Sequence, residues 1–364
     1  MNTRIERLQD YIEEKDLDGF LVINLEASPD SVNQRYLVGF YSSLGSVIVG
    51  RDEAVFLTDS RYYEAATEKV SEIPVEKIDS KAVESTVARI EDMGLTRVGI
   101  DENNVTLALF NELNDSLEGV ELVPVDGPVP DLRTCKDREE IELHKSAAEI
   151  ADDTFAYLMD YVKPGMTESE IAVELEFFMK KQGAESVSFD PIVALGANSA
   201  LPHATPGDRE VREGDILLID MGAKYRGYCS DMTRTVFIGE PTDKMQEVYE
   251  IVLEAQEVGL AALGPGESTK EVDGKARDVI EEHGYGDKYG HGLGHGVGLE
   301  IHEKPRLAQT EDNVLEEGMV VTVEPGIYLP GWGGVRIEDM VYITEKGYEF
   351  FSWSPKKEVF NPLG

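Results

Sequence analysis

Hydrophobic and polar positions follow two different periods along the first third of the chain. Residues 1–20 place apolar side chains three and four positions apart, the period of an amphipathic helix. Further on, short apolar runs indicate buried strands: DGFLVIN (18–24), SVIVG (46–50), AVFLTD (54–59), RVGID (97–101) and VELVPV (120–125). Because helical and strand patterns alternate, we expect an α/β domain.

A break in this periodicity divides the chain. Residues 123–137, VPVDGPVPDLRTCKD, combine three prolines and a glycine with polar residues, and such clusters interrupt regular structure. We therefore expect an N-terminal domain over residues 1–130 and a second domain over residues 131–364.

An internal repeat runs through the second domain. Two pairs of segments match: VKPGMTESEI (162–171) with LGPGESTKEV (263–272), and GDILLIDMG (214–222) with GMVVTVEPG (318–326). The second match places Asp220 and Glu324 at equivalent positions. Since helix, turn, helix and acidic strand recur in one order, the sequence predicts two similar halves.

Each half carries two acidic residues on a predicted hairpin. Asp220 ends the run ILLID, and Asp231 follows the segment KYRGY, so a turn there puts the two side chains opposite or nearly opposite on one face. Glu324 and Glu338 flank PGWGG in the same way, with Gly331 at their midpoint. Four carboxylates therefore point inward from two hairpins.

Clustered carboxylates on apolar strands are costly, because they repel one another and lose hydration unless they are protonated or neutralised. Four carboxylates and one imidazole are too few donors for two separate closed sites, but they suit two divalent cations that share bridging ligands. The oxygen-rich set favours Mn, Co or Fe over a structural zinc. For any one acidic residue alone, a solvated side chain or a turn cap is the simpler interpretation; the joint pattern indicates metal.

The segment HGLGHGVGLEIHE, residues 291–303, contains three of the chain's six histidines and lies in a run with glycine at every even position from Gly290 to Gly298. A helix is disfavoured, because each interior glycine costs about 1 kcal/mol relative to alanine. The even spacing also excludes the n, n+2, n+5 pattern of a nucleotide-binding loop. We expect an extended or looping backbone.

The charge balance is strongly acidic, with 72 acidic against 34 basic residues and a net charge of -38. This balance disfavours nucleic acid as a partner. Because the acids are scattered, they indicate an anionic surface and a halophilic source, with an ordinary acidic protein as the alternative. Two distant cysteines, no apolar signal segment and no run long enough to span a membrane predict a soluble, cytoplasmic protein.

Together these motifs resemble the pita-bread metallopeptidases, in the branch of creatinase, prolidase and aminopeptidase P. RYLVGF and FLTDSRYYEAA resemble that branch's N-terminal domain, and KDREEIELHKSAAEIADD resembles the entry to its catalytic domain, so the resemblance covers nearly the whole chain. It implies an α+β protein in which a creatinase-like or ribonuclease-H-like α/β domain precedes a pseudo-symmetric pita-bread catalytic domain.

The resemblance also implies a ligand set for two divalent ions, Mn or Co first and Fe or Zn as alternatives. The implied ligands are Asp220, Asp231, His295, Glu324 and Glu338. Asp231 and Glu338 would bridge the ions, and the glycines would let backbone and substrate approach closely. In the implied mechanism water activated at the metals attacks a peptide carbonyl, and Glu324 moves the proton to the leaving nitrogen.

Four further residues match substrate-facing positions of the family. His291 and His302 would contact substrate or stabilise charge that develops on the carbonyl, and His203, in LPHATP, would contact substrate. Arg306 matches a position that can bind the free carboxylate of a dipeptide through its planar guanidinium, although a surface ion pair is the alternative.

The implied activity is hydrolysis of Xaa-Pro bonds, first of all in dipeptides, by a homodimer that binds neither nucleic acid nor membrane. The compact chain of 364 residues is closer in length to prolidase than to the longer aminopeptidase P chains. An Xaa-Pro aminopeptidase acting on longer peptides and a non-catalytic interaction module remain alternatives. No ligand position is missing, which disfavours the creatinase-like and histone-chaperone relatives that lack metal chemistry.

Overall fold

The computed structural model describes residues 3–26, 30–356 and 359–360. The chain divides into two compact units, Met1–Arg133 and Thr134–Gly364. Among the described residues, no helix has the length and apolar content needed to cross a membrane.

The first unit is an α/β sandwich around one mixed sheet. Its elements are α1 (Arg4–Glu14), β1 (Gly19–Leu25), α2 (Asp30–Val38), β2 (Leu44–Gly50), β3 (Ala54–Thr58), α3 (Tyr63–Lys69), β4 (Val75–Lys77), α4 (Ala82–Asp92), β5 (Arg97–Asp101), α5 (Leu107–Ser116), β6 (Glu121–Val125) and α6 (Pro128–Thr134). The strand order is β4-β3-β2-β1-β5-β6. Helix α1 begins at a capping box of Thr3 and Glu6 and buries Ile5, Leu8 and Ile12, which its periodicity places on one face.

All five strands predicted for this unit are confirmed. Strand β4 is short and has no fully buried residue, so it carries no apolar run by which to predict it. The proline-rich break is also more regular than expected, because Pro128 and Pro130 lie in the first turn of α6, where a missing N–H costs no helical hydrogen bond.

The second unit contains the repeat. Its elements are α7 (Arg138–Tyr161), α8 (Glu168–Lys181), β7 (Ser186–Val187), β8 (Ile192–Leu195), a 3₁₀ turn (Gly196–Ala200), β9 (Ile216–Met221), β10 (Ala223–Tyr225), β11 (Tyr228–Cys229), β12 (Met232–Ile238), α9 (Asp243–Ala261), α10 (Thr269–Glu282), a second 3₁₀ turn (Gly286–Lys288), β13 (Gly294–Gly296), β14 (Glu303–Leu307), β15 (Val320–Val323), β16 (Gly326–Leu329), β17 (Gly333–Arg336), β18 (Asp339–Thr344), β19 (Gly347–Phe350) and β20 (Val359–Phe360). The pair α7 and α8 packs on β8, β9 and β12, and the pair α9 and α10 packs on the sheet of β13, β15 and β18.

Matching local contacts support the two predicted halves. Thr167 caps α8 and Ser268 caps α10, each with its hydroxyl accepting from the N–H three residues on. The equivalent bridges join Thr167 with Glu210 and Ser268 with Val314. The same order of elements therefore carries the same connections in both halves.

Candidate metal centre and substrate cavity

The first hairpin brings Asp220 and Asp231 to one face of its strands. Strands β9 and β12 are antiparallel, with Asp220 opposite Thr233, and Asp231 lies just before β12. Strands β10 and β11 continue the same register to a turn at Arg226 and Gly227, which both have positive φ. The two aspartates are thus offset by two residues, which keeps both side chains on the same face.

The second hairpin brings Glu324 and Glu338 together. Val323 pairs with Asp339 on one side of them and Gly326 pairs with Arg336 on the other, so the shared register places the two glutamates opposite each other. The turn contains Gly331, at the midpoint predicted from the sequence. An uninterrupted register is why the symmetric spacing was sufficient for this prediction.

The glycine-rich segment is extended, as expected, and supplies His295 from strand β13. A Cβ on Gly294 would lie 2.0 Å from the Thr322 carbonyl oxygen, so only glycine fits beside the neighbouring strand. His295 Nδ1 lies 3.0 Å from the Gly296 carbonyl oxygen. Because Nδ1–H can donate there, Nε2 is left as the ring's metal-binding atom.

The five side chains line one cavity of about 790 Å³. Ligand atoms of Asp231, His295 and Glu338 all lie within 4.8 Å of one another. His295 Nε2 is 3.4 Å from Glu324 Oε1 and 3.6 Å from Asp231 Oδ2. The structure thus brings together all five residues that were predicted to be metal ligands.

Burial dominates the electrostatics of this cluster. Asp231 is 4% exposed and Glu338 is 1% exposed. Desolvation, followed by repulsion from neighbouring carboxylates, raises the pKa of both well above the usual range. Burial also raises the pKa of Glu324 to about 8 and lowers the pKa of His295 to about 4. Without a counter-charge, the cluster favours protonated acids and a neutral imidazole.

The donor set fits divalent cations. Asp220 Oδ1 is buried and has no hydrogen-bond partner among the described residues, although its other oxygen accepts from Arg336. A buried carboxylate oxygen without a donor indicates a position where a cation belongs. One guanidinium beside four carboxylates leaves most of their charge uncompensated. Oxygen donors with one imidazole are the ligands that Mn and related ions accept.

A hydrogen-bonded network beside the cluster was missed from the sequence. Arg336 binds Asp220, donates from Nη1 to the Tyr328 hydroxyl at 2.9 Å and donates from Nε to Thr233 Oγ1 at 3.1 Å. Thr233 Oγ1 in turn donates to Glu338 Oε2 at 2.6 Å. Arg336 lies two residues from Glu338, and Thr233 lies two residues from Asp231. Because side chains two residues apart on a strand share a face, this spacing could have indicated that both residues are near the ligands.

The remaining predicted residues also line the cavity. His302 packs its ring edge against His295, with the ring centroids 4.5 Å apart. His291 Nε2 lies 2.9 Å from the Tyr328 hydroxyl, and its Nδ1 lies 2.8 Å from the Gly292 carbonyl oxygen, so both ring nitrogens have protein partners. His203 is exposed on the cavity wall.

Arg306 lies on β14 directly opposite His295 of β13. Its side chain is 66% exposed, and its Nε stands 3.8 Å from Glu311 Oε1, a long contact that leaves guanidinium donors available. The predicted surface ion pair therefore exists, but it is loose, and the side chain reaches the cavity as well.

Comparison with known families agrees with this architecture. Residues 142–345 match metallopeptidase family M24, and residues 4–135 match the creatinase/prolidase N-terminal domain. The chain belongs to metallopeptidase family M24, and the predicted family, fold class and enzyme class are confirmed.

Individual relatives cover nearly the whole chain. An Xaa-Pro dipeptidase of Pyrococcus furiosus is 42% identical over 95% of this chain and 97% of its own length. The solved structure of an Xaa-Pro dipeptidase from Bacillus anthracis superposes with a TM-score of 0.93 at 42% identity, covering 98% of each chain. An X-Pro aminopeptidase from Thermotoga maritima is also similar, with a TM-score of 0.91 at 39% identity over 97% of this chain and 99% of its own.

Proposed function

We propose that this protein is a two-metal Xaa-Pro dipeptidase. The observation that carries the proposal is the convergence of three buried carboxylates, the partly buried Glu324 and His295 on one cavity, with a buried Asp220 oxygen that lacks a donor among the described residues. The names of the relatives above support the substrate class.

Asp220, Asp231, His295, Glu324 and Glu338 would hold the ions, with Asp231 and Glu338 shared between them. Bound there, Mn or Co would act as a Lewis acid at the scissile carbonyl and activate the attacking water. The oxygen-rich donor set supports Mn or Co before Fe or Zn. Thr233 and Arg336 orient the ligands, because each donates to a carboxylate oxygen of the cluster.

Glu324 would move the proton. Its carboxylate faces the cavity beside His295 and accepts from Thr322 Oγ1 at 3.3 Å, which fixes one of its oxygens. The leaving group is the nitrogen of proline, which carries no hydrogen in the peptide and must gain a proton to depart as a secondary amine. A carboxyl group that takes the proton from water can deliver it to that nitrogen.

The histidines and Arg306 would bind the rest of the substrate. His203 and His302 face the cavity and can donate to the scissile carbonyl or the prolyl group. His291 would act through the Tyr328 hydroxyl, because its Nε2 is already engaged there. Arg306 would bind the free carboxylate of a dipeptide, and this contact would favour dipeptides over longer chains.

The Xaa-Pro aminopeptidase remains the second candidate, since one of the similar structures bears that name. The family resemblance supports a homodimer, the two cysteines support a reducing cytoplasm, and the net charge of -38 supports a halophilic source.

A substrate panel tests the proposal. Purified protein loaded with Mn or Co is assayed for hydrolysis of Ala-Pro, Ala-Ala and Ala-Pro-Ala. We expect Ala-Pro to have the highest kcat/KM. Faster cleavage of Ala-Pro-Ala would assign the aminopeptidase activity instead, and equal cleavage of Ala-Ala would remove the proline requirement.

A further inference from the structure

Glu168, the first residue of α8, is buried to 1% exposure and has no place in the cluster described above. Its carboxylate accepts four hydrogen bonds. Oε1 accepts from Leu195 N at 2.7 Å and from Asn198 Nδ2 at 3.0 Å, and Oε2 accepts from Asn198 Nδ2 at 2.9 Å and from Gly207 N at 2.9 Å. Charge-assisted bonds of this kind are stronger than those between neutral groups.

These bonds close the two ends of one loop. Leu195 and Gly207 bound a segment, residues 195–207, whose second half lines the cavity and carries His203. The next residue of α8 adds to the anchor, because Ser169 N donates to the Gly207 carbonyl oxygen at 3.0 Å. A single carboxylate therefore fixes both the start and the end of the loop that presents His203.

The opposite side of the same segment touches the hairpin of Glu338. Gly334 N donates to Ser199 Oγ at 2.8 Å, and Arg336 Nη1 contacts the Pro202 carbonyl oxygen at 3.4 Å. A Cβ on Gly334 would lie 2.2 Å from the Ser199 carbonyl oxygen, so the loop and the hairpin pack closely. A displacement of the loop would therefore also move the hairpin residues that line the metal site.

The repeat shows that this carboxylate is special to the first half. At the offset of the repeat, Thr269 of α10 stands where Glu168 stands in α8. Both backbone N–H groups make the equivalent bond, Glu168 to the Arg209 carbonyl and Thr269 to the Asn313 carbonyl. The Thr269 hydroxyl accepts only from Asn313 N among the described residues. The general packing of the repeat thus does not need a carboxylate, whereas in the first half a carboxylate holds both ends of the loop of His203.

We propose that Glu168 is a positioning residue, which sets the place of His203 and of the cavity wall by clamping residues 195–207. The kinetic part of this proposal rests on the proposed function, whereas the structural part does not.

The test compares Glu168→Gln with Glu170→Gln. Glutamine keeps the size of the side chain but turns one acceptor into an N–H donor that faces other donors. Glu170 is a matched control on the same helix turn, because its side chain bonds only to Thr167 among the described residues. With Ala-Pro, Glu168→Gln should lower kcat/KM about 10- to 100-fold, the scale expected when a substrate group is misplaced by about 1 Å. Metal content should stay at the wild-type value, and Glu170→Gln should behave as wild type.

Two further measurements separate a positioning role from general destabilisation. If Glu168 acts largely through His203, Glu168→Gln should lower kcat/KM much less in the His203→Ala background than in the wild type. Hydrogen exchange at the amides of Leu195 and Gly207 should accelerate in Glu168→Gln but not in Glu170→Gln. Additive kinetic losses, or unchanged exchange at both amides, would overturn the proposal.

If Glu168→Gln does not fold, Asn198→Ala is the substitute variant. It removes two of the four hydrogen bonds by changing the loop and leaves the residues of the helix unchanged. It should show the same fall in kcat/KM and the same faster exchange, and wild-type behaviour would overturn the proposal. If the wild-type protein cleaves no Xaa-Pro peptide, the proposed function has failed, and the exchange measurement alone decides the clamp.

Discussion

Glu324 and Glu338 lie opposite each other on the two arms of a hairpin whose turn contains Gly331, and the register is the same on both sides of the pair. Glu338 is buried and Glu324 is partly buried, and both lie beside Asp220 and Asp231, so the fold gathers four carboxyl groups where water screens their charges poorly. Such a pairing is stable at neutral pH only if the acids are protonated or neutralised by a counter-charge. We therefore expect bound metal to stabilise the fold.

Replacement of Glu324 by glutamine should remove activity without unfolding the protein. The amide keeps the shape of the side chain but cannot take a proton from water, so kcat should fall by about 10²- to 10⁴-fold. The check is kcat for Ala-Pro together with a thermal melt, using Glu317→Gln, an exposed glutamate elsewhere in the chain, as the control. Near-normal turnover in Glu324→Gln would refute its role in proton transfer.

Replacement of Arg306 by alanine should harm dipeptides most. If the guanidinium binds the dipeptide's carboxylate, its loss should cost about 2 to 5 kcal/mol in kcat/KM for Ala-Pro. Ala-Pro-Ala places its carboxylate one residue further on and should change much less. Arg212→Ala, at an exposed arginine outside the cavity, is the matched control. Equal losses on both substrates would show that Arg306 is structural.

His144 should make the protein more sensitive to acid. Its ring is fully buried, with Nδ1 at 2.8 Å from the Cys229 carbonyl oxygen and Nε2 without a partner among the described residues. Burial, with a smaller effect from Lys136, lowers its pKa to about 3. Because the unfolded-state pKa is about 6.5, the folded state binds fewer protons between these values. The stability from neutral His144 is complete above about pH 6.5 and is lost as the pH falls toward 3.

His144→Gln tests that dependence, since the amide can still donate to the Cys229 carbonyl but does not titrate. The free energy of unfolding, measured from pH 7 to pH 4, should fall less steeply in the variant, by up to about 1.4 kcal/mol per pH unit. Identical slopes in the two proteins would contradict a buried neutral histidine.

Salt should stabilise the protein. With a net charge of -38, the acidic side chains repel one another strongly at an ionic strength of 0.1 M, where the Debye length is about 10 Å. At 1 M the Debye length is about 3 Å, and this repulsion is much weaker. The melting temperature should therefore rise across this range of KCl concentration. A flat or falling curve would remove the halophilic interpretation and leave the enzymatic one intact.

The sequence predicted the site best where the spacing of two residues alone determines how they pair. Glu324 and Glu338 lie equally far from Gly331 in sequence, and this was enough to predict their pairing, because the hairpin has no bulge between them. For Asp220 and Asp231 the spacing gave the shared face but left the register open, and the turn at Arg226 and Gly227 sets a two-residue offset. Turn geometry of this kind depends on backbone conformation, which residue type only biases.

Contacts between distant segments could not be predicted. Glu168 bonds to groups 27 to 39 residues away, and nothing in its local pattern distinguishes it from the other acids that begin helices. The bond of Arg336 to Asp220 spans 116 residues in the same way. Periodicity places a residue on a face of its element, but its partners are fixed by how the elements pack.

Metal titration tests the central claim most directly. Metal-free protein is titrated with Mn, while bound metal per chain and proline released from Ala-Pro are measured in the same samples. We expect no release without metal, a rise with bound metal, and a plateau at two ions per chain. Full turnover without metal, or with a single bound ion, would contradict a two-metal Xaa-Pro dipeptidase.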